Sequence, residues 1–292
     1  MSTPPFLTLP GCARAERVVT ARGEFAALRA EPDGPVRGSA LLVPGFTGSK
    51  EDFIGLLEPL AAAGYRVTAV DQRGQYETGG PDDPAAYAVA ALGADVRALT
   101  EVLAAEGGPV HLLGHSFGGQ VVREAVLAAA AEGALPWRSL TLMSTGPGAL
   151  DPSEAARTKL LLDVLPVLGL EEIWQIMRQM EESSGEPRPA VEPEIAEFLH
   201  RRWVAGVPRA LAVTGAHLVA APDRVAELAA VTAGVLPVLV LSGVRDYAWP
   251  VPEQSRMAER LGARRVVVED AGHSPNAERP AATAAALASF WA

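Results

Sequence analysis

The sequence VHLLGHSFGGQVV, residues 110–122, places a single serine, Ser116, between glycines at positions 114 and 118. The apolar run before the serine is typical of a strand, and the residues after it have helical spacing. Glycine on both sides of one residue can simply mark a turn, or it can relieve a backbone that leaves no room for side chains. A sharp strand-to-helix turn would lift the serine hydroxyl clear of the backbone, and partners for that hydroxyl would then lie elsewhere in the chain.

Outward from this stretch, short apolar runs alternate with longer helical patterns. The strand-like runs lie at residues 24–30, 38–45, 65–71, 109–114, 139–144, 234–243 and 264–270. The helical patterns between and after them lie at residues 50–64, 84–108, 118–133, 252–261 and 277–291. This alternation predicts an α/β fold with a mainly parallel sheet, and the near-continuous apolar runs are typical of strands covered on both faces.

The alternation stops between residues 146 and 232, where helical patterns occur without a convincing strand. These patterns lie at residues 170–182, 193–206 and 208–221, and a loop rich in Pro, Gly and Glu is expected at 182–193. We therefore predict a core formed by residues 1–145 and 233–292, with an all-helical cap, residues 146–232, inserted into it. The Ile and Met residues on one face of 170–182 could line a pocket or pack the cap onto the core.

Composition excludes several classes of partner. The chain has 292 residues, 49% of them hydrophobic, and a formal net charge of −10, which disfavours nucleic acid and anionic membrane surfaces. Its one cysteine, Cys12, can form neither an internal disulfide nor a cysteine-based metal cluster. The N-terminal residues lack a secretory signal pattern, and no stretch approaches about 18 consecutive apolar residues. We therefore expect a cytoplasmic protein that needs no metal and binds neither nucleic acid nor a membrane; the oligomeric state is left open.

Residues 114–118 match the G-x-S-x-G pattern of a nucleophile elbow. A serine hydroxyl is a poor nucleophile without a base, and the base needs an acidic residue to orient it. His273 lies in a loop just after the last predicted strand, at the edge where open α/β sheets carry functional groups. His115 is adjacent to the serine but is expected to point away from its hydroxyl. The other histidines, in a strand or in the helical insertion, are His111, His200 and His217.

Asp246 is the candidate acid, because it also follows the carboxyl end of a predicted strand, one strand before His273. The chain order Ser116, Asp246, His273 is the order in which nucleophile-elbow enzymes carry their triad. A reaction at the serine also needs N–H donors for the oxyanion. In this arrangement one donor is the residue after the nucleophile, Phe117, and the other lies in the loop LLVPGFTGSK, where Phe46 is the candidate.

The sequence resembles the α/β-hydrolase superfamily, in its serine-nucleophile, esterase- and lipase-like branch with a helical cap. The resemblance extends from about residue 24 to 291 and rests, in family order, on PGFTGS (44–49), YRVTAVDQRGQ (65–75), GHSFGG (114–119), LSGVRDYAWP (241–250) and AGHSPNAERP (271–280). It implies a mostly parallel eight-stranded sheet flanked by helices, a cap inserted between the sixth strand and the next, and no cofactor. It also implies Ser116 as nucleophile, His273 as general base and acid, and Asp246 as the residue that orients the histidine.

The chain departs from the common pattern of that superfamily at two places. Pro44 stands where many members have a histidine before the glycine of the oxyanion loop, although the backbone donor is retained. In the turn DQRGQYETGG (71–80), Tyr76 replaces a glycine of the commoner D-x-R-G-x-G-x-S, and we interpret Asp71 and Arg73 as structural. The serine itself argues against the haloalkane dehalogenase and epoxide hydrolase branches, which form an ester on an aspartate at this position.

We expect hydrolysis of a small or medium, apolar carboxylic ester through an acyl-enzyme intermediate. Candidates for lining an apolar substrate pocket are Trp174, Met177, Tyr247 and Trp249. A thioesterase, lactonase, amidase, C–C bond hydrolase or cofactor-free haloperoxidase would use the same triad, because a fold does not fix a reaction. A ligand receptor that keeps the triad but turns over slowly is the alternative from another class.

Overall fold

The computed structural model describes residues 2–183 and 191–292. Its strands are β1 (Ala13–Thr20), β2 (Gly23–Ala30), β3 (Gly38–Val43), β4 (Tyr65–Val70), β5 (Val110–His115), β6 (Trp137–Met143), β7 (Val238–Gly243) and β8 (Arg264–Val268). They form one eight-stranded sheet in the order β1-β2-β4-β3-β5-β6-β7-β8, in which β2 alone runs against the other strands. The mostly parallel sheet predicted from the alternating pattern is therefore confirmed.

Helices cover both faces of this sheet. They are α1 (Ile54–Ala62), α2 (Val89–Gly107), α3 (Phe117–Ala131), α4 (Pro152–Val164), α5 (Leu170–Ser183), α6 (Pro193–Val204), α7 (Pro208–Ala220), α8 (Val225–Thr232), α9 (Val251–Leu261), α10 (Pro275–Glu278) and α11 (Pro280–Trp291). Short 3₁₀ turns occupy Lys50–Phe53 and Pro84–Tyr87. In the described part of the chain no single helix could cross a membrane by length and composition; α6 and α7, bent by 90° at their junction, meet that test only when joined.

The period-2 geometry of the strands divides the core into two layers. In β3, Leu41 and Val43 pack with α2, α3, α8 and α9, whereas Ala40 and Leu42 point to the opposite face and pack with α1 and α11. All four side chains are fully buried. A strand with both faces covered requires apolar residues at successive positions, which explains the uninterrupted runs in the sequence.

Strand β1 was missed by the pattern analysis. It is an edge strand that pairs only with β2, and Val18 is its one fully buried residue. On the same face as Val18, Arg14 and Glu16 are charged and form an ion pair. Because an edge strand buries so little, it lacks the alternating or continuous apolar signal of the inner strands.

Two helices were also missed, for different reasons. Helix α4 has no apolar stripe: Thr158 is its one buried residue, and Leu160 is 63% exposed. Helix α8 is only eight residues long, too short to show a clear helical period, although Asp223 accepts from the Val225 N–H at its start. The predicted helix at 84–108 is interrupted at Ala88, where a 3₁₀ turn gives way to α2.

Between β6 and β7 the described residues form helices and no strand, as predicted for a helical cap. Leu165, Leu170, Ile173, Trp203 and Leu211 form the hydrophobic centre of this layer, and it packs against Phe46 of the core. Helix α8 instead packs with the sheet, so α4–α7 alone form the layer above the site. Within the predicted loop at 182–193, residues 184–190 lie outside the described residues.

A buried ion pair fixes one corner of the cap to the core. Arg202 of α6 donates from Nη1 to Asp52 Oδ1 at 2.6 Å, and both side chains are 1% exposed. Arg202 also donates from Nη2 to the Ser2 carbonyl at 2.8 Å. The Val207 N–H donates to the Gly74 carbonyl at 3.0 Å, close to where α7 begins. The α6–α7 corner is therefore attached to the core through side-chain and backbone contacts.

Candidate active site

The glycines around Ser116 are required by crowding. Ser116 lies between β5 and α3 with φ of 54° and ψ of −123°, a conformation that residues with a side chain rarely adopt. A Cβ on Gly114 would lie 2.3 Å from the Gly118 carbonyl oxygen, and a Cβ on Gly118 would lie 2.4 Å from the Val43 carbonyl oxygen. Both distances are far below van der Waals contact, so the turn admits no side chain at either position.

Two further glycines allow close approach around the same serine. A Cβ on Gly119 would lie 2.5 Å from Thr145 Cγ2, in the loop after β6. A Cβ on Gly45, in the loop after β3, would lie 2.8 Å from Ser116 Cβ. The absence of a side chain at these two glycines lets α3 pack closely on the loop after β6 and lets the loop after β3 pack closely on the serine.

Ser116, His273 and Asp246 meet at the carboxyl edge of the sheet, where they follow β5, β8 and β7, respectively. Ser116 Oγ lies 3.0 Å from His273 Nε2, and His273 Nδ1 lies 2.8 Å from Asp246 Oδ1. An imidazole that donates its Nδ1–H to a carboxylate presents the Nε2 lone pair to the serine hydroxyl. The structure therefore brings together the three residues selected from the sequence.

Asp246 is held as an ionised acceptor. Its Oδ1 also accepts from the backbone N–H groups of Ala248 at 2.9 Å and Trp249 at 3.2 Å, and its Oδ2 accepts from Gln254 Nε2 at 2.9 Å. Burial alone would raise the pKa of Asp246, but the hydrogen bond and charge of His273, together with the two backbone donors, bring it below its ordinary value. The carboxylate can therefore orient the imidazole and stabilise its protonated form.

The loop that carries His273 is held from both sides. Glu278 accepts from the Gly272 N–H at 2.6 Å and from the Ser274 N–H at 2.9 Å. On the other side, His115 Nε2 donates to the His273 carbonyl at 2.8 Å. Burial, reinforced by the neighbouring His273, lowers the pKa of His115 to about 3, so this ring stays neutral. Glu278 was not identified from the sequence, although a carboxylate in a helical turn next to a predicted base is a recognisable signal.

The two predicted oxyanion donors come from different segments: Phe117 directly follows Ser116, and Phe46 lies in the loop after β3. Phe117 is the first residue of α3, where backbone N–H groups have no partner within the helix. Phe46 follows Gly45, where an added Cβ would lie 2.8 Å from Ser116 Cβ. Within the described residues neither N–H has an acceptor, so both could donate to an oxyanion next to Ser116.

Asp71 and Arg73 anchor the turn after β4 to neighbouring parts of the core. Asp71 is fully buried and accepts from Lys50 through both its backbone N–H at 2.7 Å and its Nζ at 3.0 Å. Arg73 donates from Nε and Nη2 to Asp95 at 2.7 and 2.8 Å. These contacts match the structural interpretation of both residues, since neither of them hydrogen-bonds a triad residue.

A cavity lies beside Ser116 and His273, with about 530 Å³ of empty space that is partly open to solvent. Core and cap both contribute to its wall, which includes Ser2, Thr47, Leu150, Glu154, Thr158, Leu218 and Tyr247. A second cavity of about 490 Å³ is lined by the turn at residues 72–76 and by residues of α6 and α7. Phe46 and Thr47 line both cavities, so the loop after β3 borders each of them.

The predicted pocket residues are dispersed. Tyr247 lines the cavity at Ser116, and its ring centroid lies 4.8 Å from that of His273. Trp174 and Met177 pack against the hydrophobic centre of the cap and line neither cavity. Trp249 is fully buried, and its Nε1 donates to the Ala149 carbonyl at 2.9 Å. The structure thus places one of the four candidates at the cavity and three in packing positions.

The described residues contain no group of three or more His, Cys, Asp or Glu side chains placed to hold a metal ion.

A parallel sheet with a serine at a strained strand–helix turn, and a helical insertion after the sixth strand, is the architecture of the alpha/beta hydrolases. A model of that family matches residues 40–286. The chain belongs to the alpha/beta hydrolase family and is an enzyme of that class.

Solved structures share the fold at low sequence identity. A hydrolase from Pseudomonas aeruginosa PA01 has a TM-score of 0.73 and 25% identity, covering 95% of this chain and 98% of that one. A thermophilic esterase from Thermogutta terrifontis has a TM-score of 0.71 and 22% identity over 95% and 97% of the two chains. An enol-lactonase from Burkholderia xenovorans LB400 has a TM-score of 0.72 and 19% identity over 94% and 99%. A comparison with curated proteins gives no match.

Proposed function

We propose that the protein hydrolyses a small or medium carboxylic ester through an acyl-enzyme intermediate on Ser116. The observation that carries this proposal is the continuous hydrogen-bond chain from Ser116 Oγ through His273 to Asp246. Ser116 has a strained backbone with a φ of 54° at the start of α3. Backbone strain of this kind clusters at active sites, where it exposes a side chain to a substrate.

In the first half-reaction Ser116 Oγ attacks the ester carbonyl while His273 Nε2 accepts its proton. Negative charge then develops on the former carbonyl oxygen, where the N–H groups of Phe46 and Phe117 would donate to it. A well-placed donor of this kind is worth on the order of 3 kcal/mol in the transition state. Protonated His273 next gives its proton to the leaving alcohol, and the acyl group stays on the serine.

In the second half-reaction a water molecule takes the place of the alcohol. His273 removes a proton from the water as it attacks the acyl-serine, and the same N–H groups stabilise the new oxyanion. Collapse of this intermediate returns the proton from His273 to Ser116 Oγ and releases the acid. Asp246 remains ionised throughout and stabilises the imidazolium each time it forms.

The cavity supports a substrate of limited size and mixed polarity. The space that the centres of water-sized molecules can occupy in it is about 90 Å³, which favours a small substrate. The lining combines Leu150 and Leu218 with Thr158 and the carboxylate of Glu154, and is less apolar than the sequence suggested. We therefore propose an ester that carries a polar group, neutral or cationic, alongside its apolar portion.

The test is turnover of a short p-nitrophenyl ester by a Ser116→Ala variant, combined with labelling by a fluorophosphonate probe. Without the nucleophile we expect kcat to fall by at least about 10³-fold and labelling to disappear. Ser289→Ala, which removes a hydroxyl from α11 that bonds Arg264, is the matched control and should keep both activities.

Undiminished turnover by Ser116→Ala would end the proposal. Labelling of the wild type with no turnover of any ester, thioester or lactone in a panel would instead favour a slow ligand receptor. A clear preference for thioesters or lactones over matched esters would retain the nucleophile and change the substrate class.

A further inference from the structure

The turn after β4 contains two glutamines, Gln72 and Gln75, that neither the fold nor the triad requires. They lie in the segment DQRGQYE (71–77), where the chain departs from its family's common pattern. Gln72 is 6% exposed, and both side chains point at the loop after β3 rather than into their own turn. Buried amides cost free energy unless they are hydrogen-bonded, so their partners are informative.

Both amides hold carbonyl groups of the loop that precedes Phe46. Gln75 Nε2 donates to the Gly45 carbonyl at 2.7 Å, and Gln72 Nε2 donates to the Pro44 carbonyl at 2.8 Å. The Gln72 backbone N–H donates to Gln75 Oε1 at 3.0 Å, which fixes the orientation of the Gln75 amide. Two consecutive carbonyls of this loop are thus held by a connected pair of side chains.

The Gly45 carbonyl and the Phe46 N–H belong to the same peptide unit. In a trans peptide these two groups point in opposite directions, and the described chain contains no cis peptide bond. A donor that fixes the Gly45 carbonyl therefore fixes the direction of the Phe46 N–H. The contact from Gln75 thereby sets the aim of one predicted oxyanion donor.

The loop needs such support. Thr47, directly after Phe46, has a φ of 58°, in the left-handed region that costs a side-chain-bearing residue free energy. Within the loop the Gly45 carbonyl receives one other bond, from the Gly48 N–H at 3.1 Å, which belongs to the same turn and would move with it. Gln75 is the donor that ties this carbonyl to a different part of the fold.

We propose that Gln75 is a positioning residue for ester hydrolysis, and that with support from Gln72 it holds the Phe46 N–H in place to stabilise the oxyanion. This inference rests on the proposed function at Ser116. It predicts that Gln75 acts on the transition state and has little effect on binding of the ground-state substrate, because the oxyanion exists only after attack.

The test compares Gln75→Leu and Gln75→Glu with wild type in kcat, KM and thermal midpoint. Leucine removes the donor at similar volume, and we expect kcat to fall about 10- to 100-fold with KM changed less than about threefold. Glutamate keeps the acceptor for the Gln72 N–H but turns a carboxylate oxygen towards the Gly45 carbonyl. We expect its kcat to fall at least as far as that of Gln75→Leu.

Gln120→Met is the matched control, because Gln120 is also buried and donates to a loop carbonyl, that of Gly148, at 2.7 Å. It should lower the thermal midpoint and leave kcat within about threefold of wild type. The second readout is affinity for a transition-state analogue, such as a boronic acid, against affinity for the product acid. Gln75→Leu should weaken analogue binding in parallel with kcat and leave product binding unchanged.

An unchanged kcat in both Gln75 variants would overturn the positioning role, as would equal weakening of analogue and product. A loss in Gln120→Met equal to that in Gln75→Leu would also overturn it, because the effect would then be general destabilisation. These outcomes are distinct from failure of the proposed function, which is decided by Ser116→Ala measured alongside.

Discussion

Replacing Asp246 with asparagine tests how the carboxylate acts on His273. Three donors converge on Oδ1, namely His273 Nδ1–H and the N–H groups of Ala248 and Trp249, whereas among the described residues Oδ2 accepts from Gln254 alone. The new amide should therefore keep its oxygen at the Oδ1 position and place its NH₂ group towards Gln254 Nε2, which is also a donor. The imidazole would keep its orientation and tautomer, and the variant would lose the negative charge together with the bond from Gln254.

The size of the effect follows from the charge separation in the transition state. The carboxylate lies 2.8 Å from His273 Nδ1, and the imidazolium charge is spread over a ring centred farther away. Two unit charges about 4 Å apart attract by about 4 kcal/mol at an effective dielectric constant of about 20. Losing that attraction should lower kcat about 10³-fold, since each 1.36 kcal/mol is worth about tenfold.

The assay is kcat for a p-nitrophenyl ester by Asp246→Asn at a pH where wild type is fully active. Asp270→Asn is the control, because it makes the same charge change at an exposed position with a φ of 56°, which asparagine tolerates well. A loss below about tenfold would refute the electrostatic role. A loss of about 10⁴-fold or more would refute retention of the imidazole orientation and tautomer.

Three further predictions concern acid stability, the serine turn and substrate charge. Burial lowers the pKa values of His111 and His115 in the folded chain to about 4 and about 3, below the ordinary 6.5, so the unfolded chain binds more protons at mildly acidic pH. Urea unfolding should therefore show stability falling by about 2 kcal/mol per histidine from pH 7.5 to pH 5, and His111→Phe should remove about half of that loss. Gly45→Ala places a Cβ 2.8 Å from Ser116 Cβ, and we expect kcat/KM to fall at least about 100-fold in an ester assay. Glu154→Gln removes a cavity carboxylate that is 23% exposed, and should reduce the preference for cationic over anionic esters about two- to fivefold in kcat/KM.

Each of these predictions has a contrary result. Stability independent of pH over that range, or an unchanged pH slope in His111→Phe, would show that the rings accept protons in the folded state. For Gly45→Ala, a normal kcat/KM would mean that the loop after β3 moves without consequence for the serine. Equal kcat/KM ratios for charged esters in wild type and Glu154→Gln would place the charged group of the substrate outside this cavity.

The sequence was sufficient for the inner strands and the serine turn because both depend on local rules. Apolar runs identify strands covered on two faces, and the glycines at 114 and 118 reflect distances of 2.3 and 2.4 Å that no side chain could satisfy. Strand β1 and helix α4 could not be found in this way, because each has a single buried residue, Val18 in β1 and Thr158 in α4. So few buried positions leave no apolar period in the sequence.

Residues around the site also divide into those that a local pattern identifies and those that it does not. Ser116, Asp246 and His273 were accessible from sequence because each follows a strand whose end lies at one edge of the sheet. Trp174 and Met177 were not distinguishable from packing residues, since a cap centre and a pocket favour the same side chains. The contact from Gln75 to Gly45 joins residues 30 positions apart through one hydrogen bond, and no local pattern encodes it.

The ion pair between Arg202 and Asp52 bears on how small molecules enter and leave. Both side chains are 1% exposed, so lifting α6 would have to break their contact and bring both charges into water. Exchange is instead expected past Tyr247, which is 54% exposed and also lines the cavity at Ser116. Product that leaves by that route would not require α6 to separate from the core.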